Sequence, residues 1–463
     1  MRRNDLPTGR RTPRVLELDL TQGLLEAPPT SPVAALRTMQ VPSLRQVVRA
    51  LREAADDPRV VGLVGHVGAK PPTAAQADEV RAAVADFRAA GKPTWCWTEA
   101  FGELGPGNVG YLVATAFDEI WLQPTGDVGL TGVVAQAVFV RGALDKLDVR
   151  PELGQRREFK TAADTFMQTG MTEAHREMAE RLASSLTEHV VDAVARGRGL
   201  TPQEVRELVD EAPLDADTAR DRRLVDRVGY RDEVYAAIED RLGEVTYTFA
   251  HRYHRKDLPA IRRRVQRSRP VIAVVQASGP IHIGRSGRSP WAGSSTGSDS
   301  LGAALRAVAR DDDVHAVVLR VDSPGGSYAA SDAIRREVIR LRETGRTVVA
   351  SMASVAASGG YFVAMPADVV VASPGTITGS IGVLAGKMVT HGALERIGVH
   401  RESVSVGRYA EMLSSQRPFT DDEWQRLDSW LDRVYDDFVS KAAADRGMAV
   451  EALEHQARGR VWT

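Results

Sequence analysis

The sequence predicts an α/β fold built from two tandem domains, each with parallel strands joined by helical crossovers and flanked by helices. Short β-branched apolar runs such as residues 59–67 alternate with amphipathic helical patterns such as residues 44–55. This alternation is typical of crossover units with parallel strands. The second observation is a long internal repeat, in which residues 107–133 recur in diverged form at residues 357–383.

The register of the repeat is steady. Tyr111 matches Tyr361, an offset of 361 minus 111, or 250, and Asp118 matches Asp368 at the same offset. Residues 142–150 keep it against 392–400, while an upstream strand pattern gives 254. A repeat of this length is not a solenoid unit and indicates duplication of a whole domain.

Two positions in this register differ in a chemically informative way. Asn108 of the first copy matches Ser358 of the second, and Ala410 of the second copy matches Lys160 of the first. A serine and a lysine therefore survive in different copies, and each copy holds the half of a catalytic pair that the other lacks.

The composition is that of a soluble globular protein. Of 463 residues, 43% are hydrophobic and 26% charged, enough for two cores of roughly 200 residues each. A net charge of −1 argues against a dedicated nucleic-acid binder. The single Cys96 excludes an intramolecular disulfide framework and a cysteine-rich metal site, and we expect it to fill a buried apolar position.

No apolar run has the length of a secretory signal or a membrane span, so we expect a cytoplasmic or peripherally membrane-associated protein.

The predicted parts are a flexible arm, an N-terminal domain, a basic linker and a C-terminal domain, at residues 1–13, 14–250, 251–269 and 270–463. The basic linker is either solvated or a contact for anionic lipid headgroups. Compared with the first copy, which continues through residues 216–242, the second is expected to be truncated at its C-terminus.

Smaller features complete the chain. Residues 278–300, rich in Gly and Ser, are expected to form a mobile surface loop in which Ile283 and Trp291 contact substrate or a neighbouring subunit. Apolar stripes at residues 178–194 and 427–438 indicate long helices, the second opening with a capping box.

Two glycine-rich turns in the second copy carry the candidate chemistry. In the first, a buried strand pattern ends before Gly325 and Gly326 and a helix begins near Ala329, so free N–H groups could bind a developing oxyanion. In the second, Ser358 precedes Gly359 and an apolar helix. Taken singly, the first is also consistent with a structural turn and the second with a helix cap.

Together these motifs are far more specific. DSPGGS (residues 322–327), ASGGY (357–361), TGSIGV (378–383) and RREFKTAADTF (156–166) resemble the signal peptide peptidase A family, serine peptidases of the ClpP/crotonase-like fold. The resemblance covers nearly the whole chain, because the long members of that family are themselves tandem duplications.

The resemblance implies roles for six residues. Ser358 would be the nucleophile, Lys160 the general base and Ser380 the residue that orients the lysine. The amides of Gly325, Gly326 and Gly359 would form the oxyanion hole. No metal and no cofactor is implied.

A lysine can act as a base only if its pKa falls well below about 10.4. Burial beside apolar residues such as Phe159 would lower the pKa of Lys160 by penalising its charged form, and no third acid is needed. Lys387, close in sequence to Ser380, is the competing base.

The expected function is a serine endopeptidase acting through an acyl-enzyme on apolar or unfolded peptides such as cleaved signal peptides. The resemblance also implies a homo-oligomer, tetramer-like, with sites facing an internal cavity. Two alternatives stay open: a crotonase-like acyl-CoA enzyme using the same turns, and a catalytically inactive scaffold that binds peptides.

Overall fold

The chain forms two compact units. The computed structural model describes residues 12–26, 41–68, 70–103, 105–253, 270–289, 293–406 and 408–463. The first unit takes its described residues from Met1–Val133, Leu186–Ser268 and Ser373–Gly375, and the second from Val134–Ser185, Arg269–Ala372 and Thr376–Thr463.

The first unit is an α/β layer structure. Its strands are β1 (Arg14–Asp19), β2 (Val60–His66), β3 (Thr94–Thr98), β4 (Glu119–Leu122), β5 (Asp127–Val128), β7 (Leu214–Asp215), β8 (Arg227–Val228) and β9 (Thr246–Phe249). Its helices are α1 (Leu44–Ala55), α2 (Ala74–Ala89), α3 (Asn108–Ala114), α7 (Pro202–Glu211), α8 (Ala216–Asp221) and α9 (Arg231–Leu242), with the end of α6 (Glu173–Arg198). The main sheet is parallel throughout, in the order β8-β4-β3-β2-β1-β9.

Sequence patterning explains these elements. Helix α1 spans the predicted residues and begins at a capping box between Ser43 and Gln46. Strand β2 is buried along most of its length, as expected of a β-branched run covered on both faces. Cys96, in β3, has no exposed surface, which confirms its prediction as a buried filler.

The second unit has the same kind of architecture, a largely parallel main sheet with helices. Its strands are β6 (Arg150–Gln155), β10 (Val271–Ser278), β11 (Ile281–His282), β12 (Gly287–Ser289), β13 (Gly293–Gly297), β14 (Val314–Ser323), β15 (Thr347–Ala357), β16 (Val369–Val371), β17 (Ile377–Gly379), β18 (Leu384–Val389) and β19 (Val461–Trp462). Its helices are α4 (Arg141–Lys146), α5 (Asp164–Met167), α10 (Ser298–Ala309), α11 (Tyr328–Glu343), α12 (Gly359–Ala364), α13 (His391–Arg396), α14 (Asp421–Arg446) and α15 (Val450–Gln456). The main sheet runs β10-β14-β15-β17-β19, parallel except for β19, and β16 also pairs with β15.

The compact units divide the chain differently from the predicted domains of residues 14–250 and 270–463. Residues 134–185, assigned to the N-terminal domain from sequence, pack within the second unit. The reason is an antiparallel ladder in which Arg150–Gln155 (β6) pairs with Leu384–Val389 (β18). Lys160, five residues beyond β6, is thereby carried into the same unit as Ser358.

One local prediction was wrong. Residues 278–300, expected to be a mobile loop, contain β11, β12 and β13, which form a small sheet in the order β11-β13-β12. Backbone hydrogen bonds and serine side chains hold it, as between Gly284 N–H and Ser298. Ile283 is 69% exposed, whereas Trp291 lies outside the described residues.

The predicted arm and linker also fall largely outside the described residues, at 1–11 and 254–269. The two helical stripes are confirmed as α6 and α14, and α14 begins at the predicted capping box of Thr420 and Glu423. Over the ranges that the structure describes, no helix combines the length and apolarity needed to cross a bilayer.

Candidate active site

Ser358 stands at the turn between β15 and α12. Its backbone has φ 53° and ψ −119°, a conformation that non-glycine residues rarely adopt. Its N–H donates to the carbonyl of Gly379 at 2.8 Å, which fixes the turn against β17. The side chain makes no capping hydrogen bond to α12, so the hydroxyl is not used as a helix cap.

Lys160 lies beside this serine. Its Nζ is 3.2 Å from Ser358 Oγ, 2.8 Å from Ser380 Oγ and 2.9 Å from the Ser380 carbonyl oxygen. Ser380 has φ 51°, so a strained turn directs both of its oxygens toward the amine. The structure therefore brings together the three side chains that the sequence singled out.

Glycines make room for the lysine. A Cβ at Gly382 would lie 3.0 Å from Lys160 Cδ, and one at Gly459 would lie 2.5 to 2.7 Å from the lysine N, Cβ and Cα. The contacts at Gly459 are closer than a real Cβ shows, so that position requires glycine for this packing, whereas a Cβ at Gly382 would be tight against the lysine. The lysine is consequently held with 6% of its surface exposed.

Burial lowers the pKa of Lys160 from 10.5 to about 8. The cause is desolvation, which penalises the charged ammonium more than the neutral amine. About one tenth of the amine is therefore neutral at pH 7, far more than for a lysine with the usual pKa. A neutral amine has two N–H groups and one lone pair, and the two Ser380 oxygens match the N–H groups, which leaves the lone pair for the serine hydroxyl.

The predicted oxyanion-hole glycines lie against Ser358. A Cβ at Gly325 would be 2.6 Å from the amide nitrogen of Gly359 and 2.8 Å from Ser358 Cβ, so the two glycine turns touch backbone to backbone. The Gly325 N–H donates to Ser323 Oγ at 3.2 Å. Among the hydrogen bonds of the described residues, the N–H groups of Gly326 and Gly359 have no acceptor.

The competing base lies elsewhere. Lys387 Nζ donates to the carbonyl of Met412 at 2.8 Å and lies 4.0 Å from the ring centroid of Phe419. Burial lowers its pKa as well. Within the described part of the chain it makes no hydrogen bond to Ser358 or Ser380, and we assign it to the packing of β18.

Two residues that support the lysine were not predicted from the sequence. Gly459 packs on its backbone, and the carbonyl of Arg460 accepts the N–H of Ser380 at 2.7 Å. The segment joins the sheet because β19 pairs with β17. A glycine between two arginines carries no signal in sequence, because only the fold shows that a side chain there would strike the lysine.

The first copy lacks a serine at the position equivalent to Ser358. Asn108 stands where the serine would be, and its side-chain amide bonds both the carbonyl and the N–H of Gly132, at 2.6 and 3.2 Å. Thr73 caps α2 as Ser327 caps α11, and the two residues before Thr73 are Pro71 and Pro72. Proline has no N–H, so Pro72, at the position equivalent to Gly326, cannot supply the donor that Gly326 offers.

The described residues contain no group of three or more His, Cys, Asp or Glu side chains arranged to hold a metal ion. The groups gathered around Ser358 are a hydroxyl, a primary amine and backbone amides. This combination is suited to nucleophilic attack on a carbonyl carbon assisted by a base and by N–H donors.

Comparison with known proteins finds relatives along most of the chain. A model of peptidase family S49 matches residues 86–245 and 340–463. Protease 4 of Salmonella typhi is 31% identical over 442 residues, which cover 92% of this chain and 68% of the relative. The chloroplastic serine protease SPPA of Arabidopsis thaliana is 30% identical over 425 residues, 91% of this chain and 62% of the relative. Protease 4 of Haemophilus influenzae is 29% identical over 431 residues, 90% of this chain and 68% of the relative. The chain thus spans about two thirds of the length of these proteins.

Proposed function

Since this chain belongs to peptidase family S49, we propose that it is a serine endopeptidase in which Ser358 is the nucleophile and Lys160 the general base. The observation that carries the proposal is the 3.2 Å separation of Lys160 Nζ and Ser358 Oγ, with the lysine buried and bonded to Ser380. The names of the relatives, Protease 4 and a serine protease, agree with it.

In the first step, the neutral amine of Lys160 takes the proton of the Ser358 hydroxyl while Oγ attacks the peptide carbonyl. The carbonyl oxygen becomes an oxyanion, and the N–H groups of Gly326 and Gly359 are the donors available to stabilise it. Gly325 serves by its lack of a side chain, since a Cβ there would block the approach of the two turns.

In the second step, the protonated Lys160 gives its proton to the leaving amine, and the peptide bond breaks to leave an ester on Ser358. A water molecule then attacks that ester with Lys160 again acting as base, which releases the acid product and restores the hydroxyl. Ser380 holds the amine through both steps by accepting its N–H groups.

We propose apolar or unfolded peptides, such as cleaved signal peptides, as substrates. The proposal extends to a homo-oligomer that works in the cytoplasm or at a membrane surface, without nucleic acid. Flotation with anionic and with neutral vesicles would test the membrane contact, since binding through basic residues requires the anionic lipid.

The test of function is hydrolysis of a fluorogenic peptide with an apolar residue before the scissile bond. We expect Ser358→Ala and Lys160→Ala to lose at least about a thousandfold in kcat/KM, as loss of a nucleophile or base generally does. Two matched controls, Ser429→Ala and Lys146→Ala, alter surface-exposed positions and should retain activity.

Labelling with a fluorophosphonate makes the assignment independent of the chosen peptide. Peptide mapping by mass spectrometry should find the label on Ser358, and Ser358→Ala should not be labelled. Hydrolysis that survives in Ser358→Ala would refute the mechanism. A folded wild-type protein that neither hydrolyses peptides nor takes the label would favour the inactive scaffold.

A further inference from the structure

A cavity of about 410 Å³ lies in the first unit, outside the candidate active site. Its lining comes from two stretches of the first copy, one running from Val67 to Pro71 and the other from Glu99 to Gly110. The volume falls within the range of roughly 300–1,000 Å³ that is typical of small-ligand sites. No step of the proposed peptidase mechanism uses this cavity.

The duplication relates the cavity to the active site of the second copy. Pro71 matches Gly325 at the upstream offset of 254, and Gly110 matches Gly360 at the offset of 250. The cavity is therefore lined by the first-copy counterparts of both glycine turns. Because the serine and one N–H donor are missing there, the first copy has a recess at this position without the reacting groups.

A longer loop builds much of the lining. Trp95 of β3 corresponds to Val349 of β15 in the strand pairing, which gives an offset of 254. The offset is 250 at Asn108, so the nine residues 99–107 stand where the second copy has the five residues 353–357. The loop contributes these lining residues: Glu99, Ala100, Phe101, Gly102, Glu103, Pro106 and Gly107. The first copy thus has four additional residues, nine minus five, at the edge of a cavity that it no longer uses for catalysis.

Backbone hydrogen bonds hold this loop. The Phe101 N–H donates to the carbonyl of Asp127 at 2.8 Å, and the Phe101 carbonyl accepts the N–H of Gly129 at 2.7 Å. The Gly107 N–H donates to the carbonyl of Gly129 at 2.7 Å. A Cβ at Gly107 would lie 1.9 Å from the Phe101 carbonyl oxygen, so the close return of the loop requires glycine there. The cavity is therefore formed by the fold itself.

The lining combines apolar surface with negative charge. Val67, Pro71 and Phe101 are among its apolar members, and Glu99 and Glu103 are its two ionisable members. Among the described residues, no lysine or arginine lines the cavity. A ligand that complements it must carry a cationic group next to an apolar one.

One of the two carboxylates is held in place. Glu99 Oε2 lies 2.9 Å from His66 Nε2, and the imidazole ring stacks on Trp97 with the ring centroids 3.8 Å apart. Within the part of the chain that the structure describes, Glu103 makes no hydrogen bond or ion pair. Its carboxylate is therefore available to a cationic ligand, and Glu99 keeps its second oxygen for the same purpose.

We propose that this cavity binds a short peptide segment in which a lysine or arginine side chain stands next to an apolar one. The cationic side chain pairs with Glu99 and Glu103, and the apolar side chain packs on Phe101. The choice of a peptide as ligand rests on the proposed function, because the cavity is the first-copy counterpart of the peptidase site. Binding itself requires no hydrolysis, so the two proposals are tested separately.

The test is fluorescence anisotropy of the labelled hexapeptide Lys-Lys-Leu-Leu-Ala-Leu with the Ser358→Ala protein, which cannot cleave it by the proposed mechanism. We expect the double variant Glu99→Gln/Glu103→Gln, made in that background, to raise the Kd at least about tenfold, because each carboxylate loses its charge. The peptides Ser-Ser-Leu-Leu-Ala-Leu and Lys-Lys-Ser-Ser-Ala-Ser should each bind at least about tenfold more weakly than the first, since each lacks one of the two features.

The matched control is Glu207→Gln/Glu211→Gln in the same background. Both residues are exposed on α7, and the change in net charge is the same. It should leave the Kd unchanged, so a general effect of charge would appear as equal weakening in the two double variants. Equal weakening, or an unchanged Kd in Glu99→Gln/Glu103→Gln, would overturn the proposal.

Photocrosslinking locates the bound peptide. A diazirine analogue of leucine replaces the first leucine of the hexapeptide, and the labelled protein is digested and mapped by mass spectrometry. We expect labels on residues 67–71 or 99–110. Labels confined to residues 325–327 and 358–361 would refute the cavity as the site, because the peptide would then bind only at the active site. Loss of hydrolysis in the wild type, with the labels still in the cavity, would refute the peptidase and leave this site standing.

Discussion

Arg460 covers Phe159: its guanidinium carbon lies 3.6 Å from the centroid of the phenyl ring. Phe159 immediately precedes Lys160 in the chain, and the carbonyl of Arg460 accepts the N–H of Ser380. The guanidinium is held in turn by Glu177 at 2.7 Å. Arg460 therefore supports the residue before Lys160 by its side chain and the residue that holds the lysine amine, Ser380, by its backbone.

Replacing Arg460 should lower the neutral fraction of Lys160 at pH 7 without removing the base. Arg460→Lys keeps the positive charge but loses the planar surface over Phe159, which admits water toward Lys160. The pKa of Lys160 should then rise toward 10.5, so the acid limb of the kcat/KM profile moves to higher pH and activity at pH 7 falls about tenfold or more. Arg458→Lys is the matched control, because its side chain pairs with the exposed Glu158. A loss of activity at an unchanged pH midpoint would contradict the proposal that Arg460 keeps water from Lys160.

Gly459→Ala should displace the lysine. The new Cβ would meet the lysine backbone and Cβ at 2.5 to 2.7 Å, and Gly459 has φ 81°. Gly345 is the matched control position. Its φ of 83° is similar, but a Cβ there would have no atom within 4 Å, so Gly345→Ala adds backbone strain without a steric contact. We expect Gly345→Ala to lose about 1 kcal/mol of stability and retain its kcat, whereas Gly459→Ala loses more stability and most of its kcat. Urea unfolding measures the stability of the two variants, and peptide hydrolysis measures their kcat. Equal kcat values for Gly459→Ala and Gly345→Ala would contradict the packing argument.

The activity of the wild type should follow the neutral fraction of Lys160. Because burial lowers the pKa of this lysine to about 8, kcat/KM should rise about tenfold per pH unit below pH 8 and level off above it. Peptide hydrolysis assays from pH 5.5 to 10 would show this rise of kcat/KM and its midpoint. A midpoint near 6.5 would instead indicate a histidine and would contradict the assignment of the base.

The fold and the reacting groups could be predicted from the sequence because both leave local patterns. Strand and helix periodicity gave the parallel sheets, and the repeat register paired Ser358 with Lys160 across the two copies. Apart from Ser380, the residues that support the lysine could not be predicted, because the need for glycine at position 459 arises only when β19 pairs with β17. The placement of residues 134–185 in the second unit was also missed, since it depends on the ladder between β6 and β18, whose partners lie more than 200 residues apart. The sheet within residues 278–300 lacks the apolar alternation that marks strands, and its serine-rich sequence was therefore taken for a loop.

The buried lysine should cost stability at neutral pH. Its pKa is lowered from 10.5 to about 8, so the folded state binds the proton less tightly than the unfolded state. Stability from this group is therefore lowest below pH 8 and is recovered as the pH rises from 8 to 10.5. Lys160→Met should increase the free energy of unfolding by about 1–3 kcal/mol at pH 6, with a gain that shrinks toward pH 10.5. Thermal or urea unfolding of the wild type and Lys160→Met at pH 6 and pH 10 would measure this gain in stability. A gain that is independent of pH would contradict the titration of Lys160.

Restoring a serine in the first copy should not create a second active site. In a Ser358→Ala background, Asn108→Ser puts a hydroxyl at the repeat-equivalent position, but Pro72, the counterpart of Gly326, has no N–H group to stabilise an oxyanion. The variant should also lose the two hydrogen bonds to Gly132, about 1–2 kcal/mol of stability. We expect no peptide hydrolysis and no fluorophosphonate label above the level of Ser358→Ala alone. Labelling of the new serine at wild-type rates would mean that an N–H at the position of Gly326 is not needed to stabilise the oxyanion, and the role given to Gly326 would need revision.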